Sequence, residues 1–313
     1  MIGYEVLFVH TMSRRRISKL NHENQKMESI QWERMLPQEF RAAFDRLPVV
    51  YLPLGTVEWH GEHNVIGLDS LKAHRLCVMA AQRSGGIVHP PLYGGMGGER
   101  MPATVRMEEE DNWDNYLLRP WLEKYCYEFQ RLGFRSIIIL TGHYSCNQQI
   151  VVKETAIRMT ERLCIPVLGV PEFMLAQDVG YSGDHAGIGE TSLMMHLHPE
   201  YVRMDRILSD PQYGKDDRII NGASAERGEK YTETIVERLS KLAVIMPLWD
   251  GRTIADFVQA ERALLNAQVK GWRNTGSRNT AWQRMAHGEH NGYGRMLVEE
   301  RFDELKSMAE KLL

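Results

Sequence analysis

This 313-residue sequence has few cysteines, no excess of charge of either sign and no long apolar run. Cys77, Cys126, Cys146 and Cys164 are its only cysteines, they lie far apart, and no two form a CxxC pair. That excludes a disulfide-stapled fold and a zinc-finger set, and it fits a reducing compartment. Lys and Arg number 38 against 41 Asp and Glu, a formal net charge of −3. Without a basic excess there is no electrostatic case for nucleic acid or an anionic membrane surface as the main partner. No apolar stretch approaches the roughly 20 residues of a membrane span. The N-terminus, MIGYEVLFVHTMSRRR, puts a short apolar run before its arginines, the reverse of a secretory signal. The expected location is the cytoplasm. Repeats and low-complexity tracts are absent as well, and a hydrophobic content of 43% is too high for a wholly disordered chain.

What is present is an alternation of strand and helix patterns. Residues 1–36 read as a polar N-terminal tail, the first 26 being either loose chain or a misassigned start with Met27 as the alternative. From residue 37 to 247 the pattern is that of one α/β domain. Val49–Leu54, bounded by Pro48 and Gly55, has the form of a buried strand. Asp69 opens a helical pattern, Ile87-Val88 is a short strand, and the Pro/Gly-rich stretch from His89 to Pro102 reads as a long loop. Residues 112–132 predict a helix kinked or split at Pro120 and closed by Gly133. Ser136–Leu140 is the strongest strand pattern, followed by helix from Asn147 to Leu163, strand at Val167–Val170 and helix from Glu190 to His198. Such alternation predicts a mostly parallel sheet covered by helices on both faces, a three-layer α/β/α fold. Residues 248–313 read as a helical C-terminal extension.

Metal-ligand residue types concentrate in three loops beside these elements, where the ligand crevice of an open α/β sheet lies. The first runs Thr56-Val-Glu-Trp-His-Gly-Glu-His-Asn-Val-Ile-Gly-Leu-Asp69. In extended chain Glu58 and His60 point the same way, so each can hold one of two adjacent divalent ions, with Asp69 bridging them from the next helix. The same residues also suit a surface loop and an Asp N-cap. The second loop, Thr141-Gly-His-Tyr-Ser-Cys-Asn147, places His143 directly past the strongest strand, either as a ligand or as a capping histidine. The third, Gly183-Asp-His-Ala-Gly-Ile-Gly-Glu-Thr-Ser192, places Glu190 in a helical first turn, a position the helix dipole favours by itself, and carries His185 in the loop. Together Glu58, His60, Asp69, His143 and Glu190 make a mixed oxygen and nitrogen set suited to Zn²⁺, Mn²⁺ or Fe²⁺.

In these motifs the sequence resembles the creatininase (creatinine amidohydrolase) family. The family's G-[ST]-x-E-[QW]-H-G-x-H-x(5)-D stretch is matched by Gly55 through His63 and then Asp69. Its NGH is matched by Thr141-Gly142-His143, and its H-A-G-x-x-E-T-S by His185 through Ser192. Met101-Pro-Ala-Thr104 is similar to F-P-G-T, and Ala223-Ser-Ala-Glu-Arg-Gly228 to A-T-A-E-K-G. The resemblance covers roughly Pro37 to Leu242, with every motif in order.

The resemblance implies a three-layer α/β fold, a dinuclear metal site, hydrolysis of a non-peptide or cyclic amide C–N bond, and a homo-oligomer, often a hexamer. It implies Glu58 and His143 on one metal, His60 on the other and Asp69 between them. Glu190 would complete the second metal's set or hold its water, and His185 would carry a proton to the leaving nitrogen. Three departures bear on substrate, one of them Glu62 in place of a usual Pro, which is either a negative charge near the mouth that favours a cationic or neutral substrate or an exposed rim charge. Ser145 stands where creatinine hydrolases carry a further ligand, Glu, which argues against creatinine and for another amide or a formamide. Thr141 replaces the usual Asn. Gly94–Gly98 lacks the Lys-Ser/Thr of a phosphate loop, and His63 and His74 are candidates for supporting the ligands. The expected function is therefore a metal-dependent amidohydrolase using a metal-activated hydroxide on a small amide substrate. The alternative is a non-catalytic, metal-stabilised member that binds a partner.

Overall fold

The computed structural model describes residues 30–98, 101–108, 117–209, 217–275 and 292–311. Helix α1 (Pro37–Arg46) starts on a proline, whose missing N–H costs nothing in a first turn. Strand β1 (Val49–Gly55) follows, then α2 (Leu68–Ser84), β2 (Ile87–Val88), β3 (Leu92–Tyr93), α3 (Leu118–Leu132), β4 (Ser136–Thr141), α4 (Cys146–Leu163) and β5 (Val167–Pro171). Helices α5 (Ile188–Leu197), α6 (Asp217–Gly222), α7 (Ala225–Ile245), α8 (Gly251–Thr275), α9 (Tyr293–Val298) and α10 (Phe302–Glu310) complete the order, with short 3₁₀ turns between some of them.

The five strands form one parallel sheet in the order β2-β1-β4-β5, and β3 pairs with the far end of β1, beyond β2. Every residue of β1 and β4 is buried, as expected of strands covered on both faces. Alternate side chains then feed two separate cores. Val49, Tyr51, Ile138, Leu140, Leu168 and Val170 pack with residues of α2, α7 and the C-terminal helices. Val50, Leu52, Leu54, Ile137, Ile139 and Val167 pack with α3 and α4 on the other side. The expected three layers are therefore present.

The C-terminal helices are built into the first of these cores. Phe257 and Leu264 of α8, Tyr293 and Leu297 of α9, and Leu305 of α10 are all fully buried there. Lys153 of α4 and Glu261 of α8 form a buried ion pair, and the Tyr293 hydroxyl donates to the same carboxylate at 2.9 Å.

Several local expectations differ from the structure. Helix α3 begins at Leu118, which puts Pro120 in the first turn, and there is no kink to explain. Residues 112–116, the start of the expected helix, lie outside the described residues. Strand β3 lies within the stretch read as loop; two residues between Pro/Gly punctuators give no period to detect. The end of the helical C-terminal extension is two short helices, α9 and α10, separated at Glu300, whose φ of 56° ends the first. Residues 30–32, assigned to the tail, lie on the sheet edge: Ile30 accepts from the Val88 N–H at 2.8 Å, and the Trp32 ring packs on Phe40, Phe129 and Phe134. The first 26 residues lie outside the described ones. Among the described residues no helix is long and apolar enough to cross a membrane.

Candidate metal centre

The register of the sheet ends Gly55 of β1 and Thr141 of β4 side by side, with Leu54 opposite Thr141. The loops that leave these two strand ends carry Glu58, His60 and His143, and α2 and α5 point their first turns at the same place with Asp69 and Glu190. Asp69 is not the N-cap, since that position is Gly67; it lies one residue inside the helix, so its carboxylate is left to the cluster. Two glycines permit the approach. A Cβ on Gly142 would stand 2.2 Å from the Asp69 carbonyl oxygen, and one on Gly98 would stand 2.6 Å from Glu58 Oε2.

All five expected ligand residues converge, and four of them are almost completely enclosed. Glu58, His60, Asp69 and Glu190 are each 2% exposed or less. Asp69 Oδ1 lies 3.1 Å from His60 Nε2, while Asp69 Oδ2 lies 3.1 Å from His143 Nδ1. Glu58 Oε1 lies 2.9 Å from His143 Nδ1. The donor atoms therefore fall into adjoining groups whose members lie within 4.8 Å of one another: Glu58/Asp69/His143 and His60/Asp69/Glu190, which share Asp69, and Glu58/His60/His185, which overlaps both. His185 is different: its side chain is 29% exposed, with Nδ1 3.6 Å from Glu58, which places it at the mouth.

The outer hydrogen bonds fix which nitrogen faces inward. His143 Nε2 meets the Met96 carbonyl at 2.8 Å, and His60 Nδ1 meets the Glu58 carbonyl at 3.0 Å. A carbonyl only accepts, so those nitrogens carry hydrogens, and the other nitrogen of each ring turns toward Asp69, where it offers a lone pair once its own proton has left. His63, one of the two expected supports, joins the first and third loops through the Ala186 carbonyl and the Thr191 hydroxyl. Thr104 does the same for the 101–104 stretch by accepting the Trp59 N–H at 3.0 Å. Ser145 donates to the Met96 carbonyl at 2.7 Å and caps α4 by accepting the Gln148 N–H. Thr141 accepts the His143 N–H and so shapes the loop.

The electrostatics call for positive charge. Glu58 Oε2 and both Asp69 oxygens are buried without a hydrogen bond. Burial alone would depress the two histidines, yet the carboxylates beside them more than reverse this. Asp69, with Glu190 and Glu58, pushes His60 up to about 9, and Glu58 with Asp69 holds His143 well above its ordinary value. Asp69 in turn is held below the usual carboxylate range, against its burial, by the same rings. Burial pushes Glu190 up to about 7, with Lys72 opposing. A cluster that protonates its own histidines to balance its carboxylates has a donor set and a charge suited to divalent cations.

Lys72 was not anticipated from the sequence. It is fully buried and bonded to Glu190, to Glu172 at 3.1 Å and to the Tyr144 hydroxyl at 2.8 Å. A lysine one turn after Asp69 in an amphipathic pattern reads as a solvated helix face, and Glu172 and Tyr144 lie in loops whose positions only the fold decides. Asp184, which accepts the N–H groups of Gly189 and Glu190, was missed for the same reason.

A sequence-family model described as creatinine amidohydrolase, the creatininase family, matches residues 33–243, well over half of the chain. The chain belongs to the creatininase family. It is 28% identical over 186 residues to the creatinine amidohydrolase of Pseudomonas putida, spanning 52% of this chain and 69% of that one. It is 22% identical over 191 residues to a 3-dehydro-scyllo-inosose hydrolase of Thermotoga maritima, covering 56% of this chain and 58% of that protein. A solved creatininase superposes with a TM-score of 0.57 at 22% identity, over 70% of this chain and 98% of the other, which establishes the shared fold. Related creatininase structures are described as a Zn–Zn form, an Mn form and a complex with creatine. The creatininase match ends at residue 243, so α8, α9 and α10 lie beyond it.

Proposed function

We propose that this creatininase-family protein is a metal-dependent hydrolase of a small cyclic amide or formamide, cleaving its C–N bond, with two divalent ions held by Glu58, His60, Asp69, His143 and Glu190. The observation that supports it best is Asp69, whose two oxygens each face a different histidine at 3.1 Å, the disposition of a carboxylate shared by two ions. The Zn and Mn forms of the related creatininases make those metals the first to test. Ions held there supply an acidified water as nucleophile and a Lewis acid for the substrate carbonyl.

The residues of the chain do the rest. The inward nitrogens of His60 and His143 are aimed before any ligand arrives, because the Glu58 and Met96 carbonyls hold the opposite nitrogens. Burial of the carboxylates keeps bulk water from screening the charges that act on the reacting carbonyl. His185, partly exposed beside Glu58, would carry a proton to the departing nitrogen. Creatinine itself is not the proposed substrate. Ser145 gives its hydroxyl to the Met96 carbonyl and the α4 cap, so it adds no ligand of the kind found at that position in creatinine hydrolases. The creatinine and inosose hydrolases among the relatives are both named for ring compounds, and a ring carbonyl is the feature carried over to this chain.

The test is elemental analysis of protein purified without chelator, with Asp69→Ala as the control and turnover screened on cyclic amides and formamides. The expected result is about two Zn, Mn or Fe per chain, lost along with turnover in a variant that still unfolds cooperatively. Absence of metal after reconstitution would overturn the proposal and favour a partner-binding protein. Turnover by metal-depleted Asp69→Ala would overturn the mechanism.

A further inference from the structure

Glu190 has two carboxylate oxygens, and the fold has already committed one of them. Oε2 accepts the Ala186 N–H at 2.8 Å and is the oxygen that faces His60 Nε2, 3.7 Å away. Oε1 turns to the other side and is held by the ammonium of Lys72. That ammonium is itself fixed from three directions: Glu172 at 3.1 Å, the Tyr144 hydroxyl at 2.8 Å and the Tyr144 ring face, with the nitrogen 4.1 Å from the ring centroid. Tyr144 is in turn bonded to Glu172 and, at 2.5 Å, to the Tyr181 hydroxyl. Lys72, Glu172 and Glu190 are all buried to within 1% of full enclosure. A lone buried ion pair rarely gains net stability over apolar packing, so a lysine placed against the metal-facing carboxylate invites a role beyond holding α2 in place.

We infer that Lys72 is a positioning residue that withholds one oxygen of Glu190 from the metal centre, so that this carboxylate offers a cation a single donor atom. The inference rests on the proposed metal site. Its consequence concerns the metal. A cation at the His60/Asp69/Glu190 group receives one nitrogen and one oxygen from each of the two carboxylates, a small donor set of the kind zinc accepts. With the ammonium gone, Glu190 can turn both oxygens inward, which raises the donor count and suits larger ions that take more oxygen ligands, such as Mn²⁺.

The test uses Co²⁺ as the probe, because its visible absorption is intense with few ligands and weak with many. Metal-free protein, Lys72→Met and Lys72→Arg are each titrated with Co²⁺, and bound cobalt is measured independently. The expected result is intense absorption in the native chain, a several-fold loss per bound cobalt in Lys72→Met and native intensity in Lys72→Arg. Lys72→Met leaves two buried carboxylates without their cation, so the double variant Lys72→Met/Glu172→Gln, which removes one charge of each sign, is measured beside it and is expected to show the same loss. Unchanged intensity in either folded variant, at unchanged cobalt content, would overturn the inference and leave the metal site standing. Failure of the native chain to bind cobalt at all would refute both this role and the metal reading on which it depends.

Discussion

Gly142→Ala is the sharpest single perturbation of this architecture. The added methyl would sit 2.2 Å from the Asp69 carbonyl oxygen, 2.9 Å from the Asp69 carbonyl carbon and 3.1 Å from Lys72 Cε. Two of those three atoms are backbone, so no side-chain rotation relieves the clash. Ordinary contacts of a Cβ begin near 3.4 Å, and the loop after β4 and the first turn of α2 must separate by about 1 Å to reach van der Waals distance. Neither side is free to move: the Gly142 N–H is bonded to the Leu54 carbonyl at 2.8 Å, and the far side of α2 is packed on α7 in the core. Overpacking of this kind costs about 1–3 kcal/mol, which in a chain of this size is a fall of about 2–5 °C in Tm. The same 1 Å falls between Asp69 and His143, whose 3.1 Å approach belongs to the proposed shared site. Thermal unfolding of metal-free protein, followed by elemental analysis after reconstitution, reads both effects. Gly251→Ala, where nothing lies within 4 Å of the new methyl, is the control and should match the native chain. A Gly142→Ala protein with native Tm and full metal content would refute the argument that backbone contact at this glycine sets the spacing of the ligands.

Two further predictions follow from the charges. In metal-free protein His60, raised to about 9, and Glu190, raised to about 7, each favour folding while protonated. Their contribution is complete below their unfolded values, near 6.5 for His60 and 4.5 for Glu190, and is lost as pH rises through about 9 and about 7 respectively. Glu58 and Asp69 are lowered and act in the opposite sense, losing their contribution in acid. Metal-free protein should therefore be destabilised on raising pH from about 5 to 9. Bound metal, competing with the same protons, should reverse that trend and gain affinity with pH; a flat Tm–pH profile for the metal-free form would contradict the assignment. The second concerns the C-terminal helices. Lys153→Met leaves the buried Glu261 with the Tyr293 hydroxyl as its one remaining side-chain partner among the described residues and should cost about 3–5 kcal/mol, read as a lowered urea midpoint. Lys153→Met/Glu261→Met should recover most of it, and an unchanged midpoint in the single variant would mean that α8 is not part of the cooperative unit.

The sequence by itself determined the family, the sheet and the chemical identity of the cluster. Buried parallel strands announce themselves as unbroken apolar runs, as at Val49–Leu54 and Ser136–Leu140, because both faces must be covered. The ligand types were legible because each sits a fixed number of residues past a strand end or inside a helix start, and local backbone geometry alone aims them. Short or locally unpatterned features were not legible: β3 is two residues long, and the break at Glu300 rests on one residue with positive φ.

Tertiary structure decided what surrounds the cluster. Lys72, Glu172, Tyr144 and Tyr181 come from four separate segments, and nothing in the spacing of any one of them announces the others. The same holds for Lys153, Glu261 and Tyr293, which join the C-terminal helices to α4, and for Gly142, whose role depends on a backbone 73 residues away at Asp69. Metal-ligand residue types carry their chemistry with them into any fold. A buried cation, a tautomer or a close backbone approach exists only once distant segments pack, because burial and hydrogen-bond partners are properties of the assembled chain.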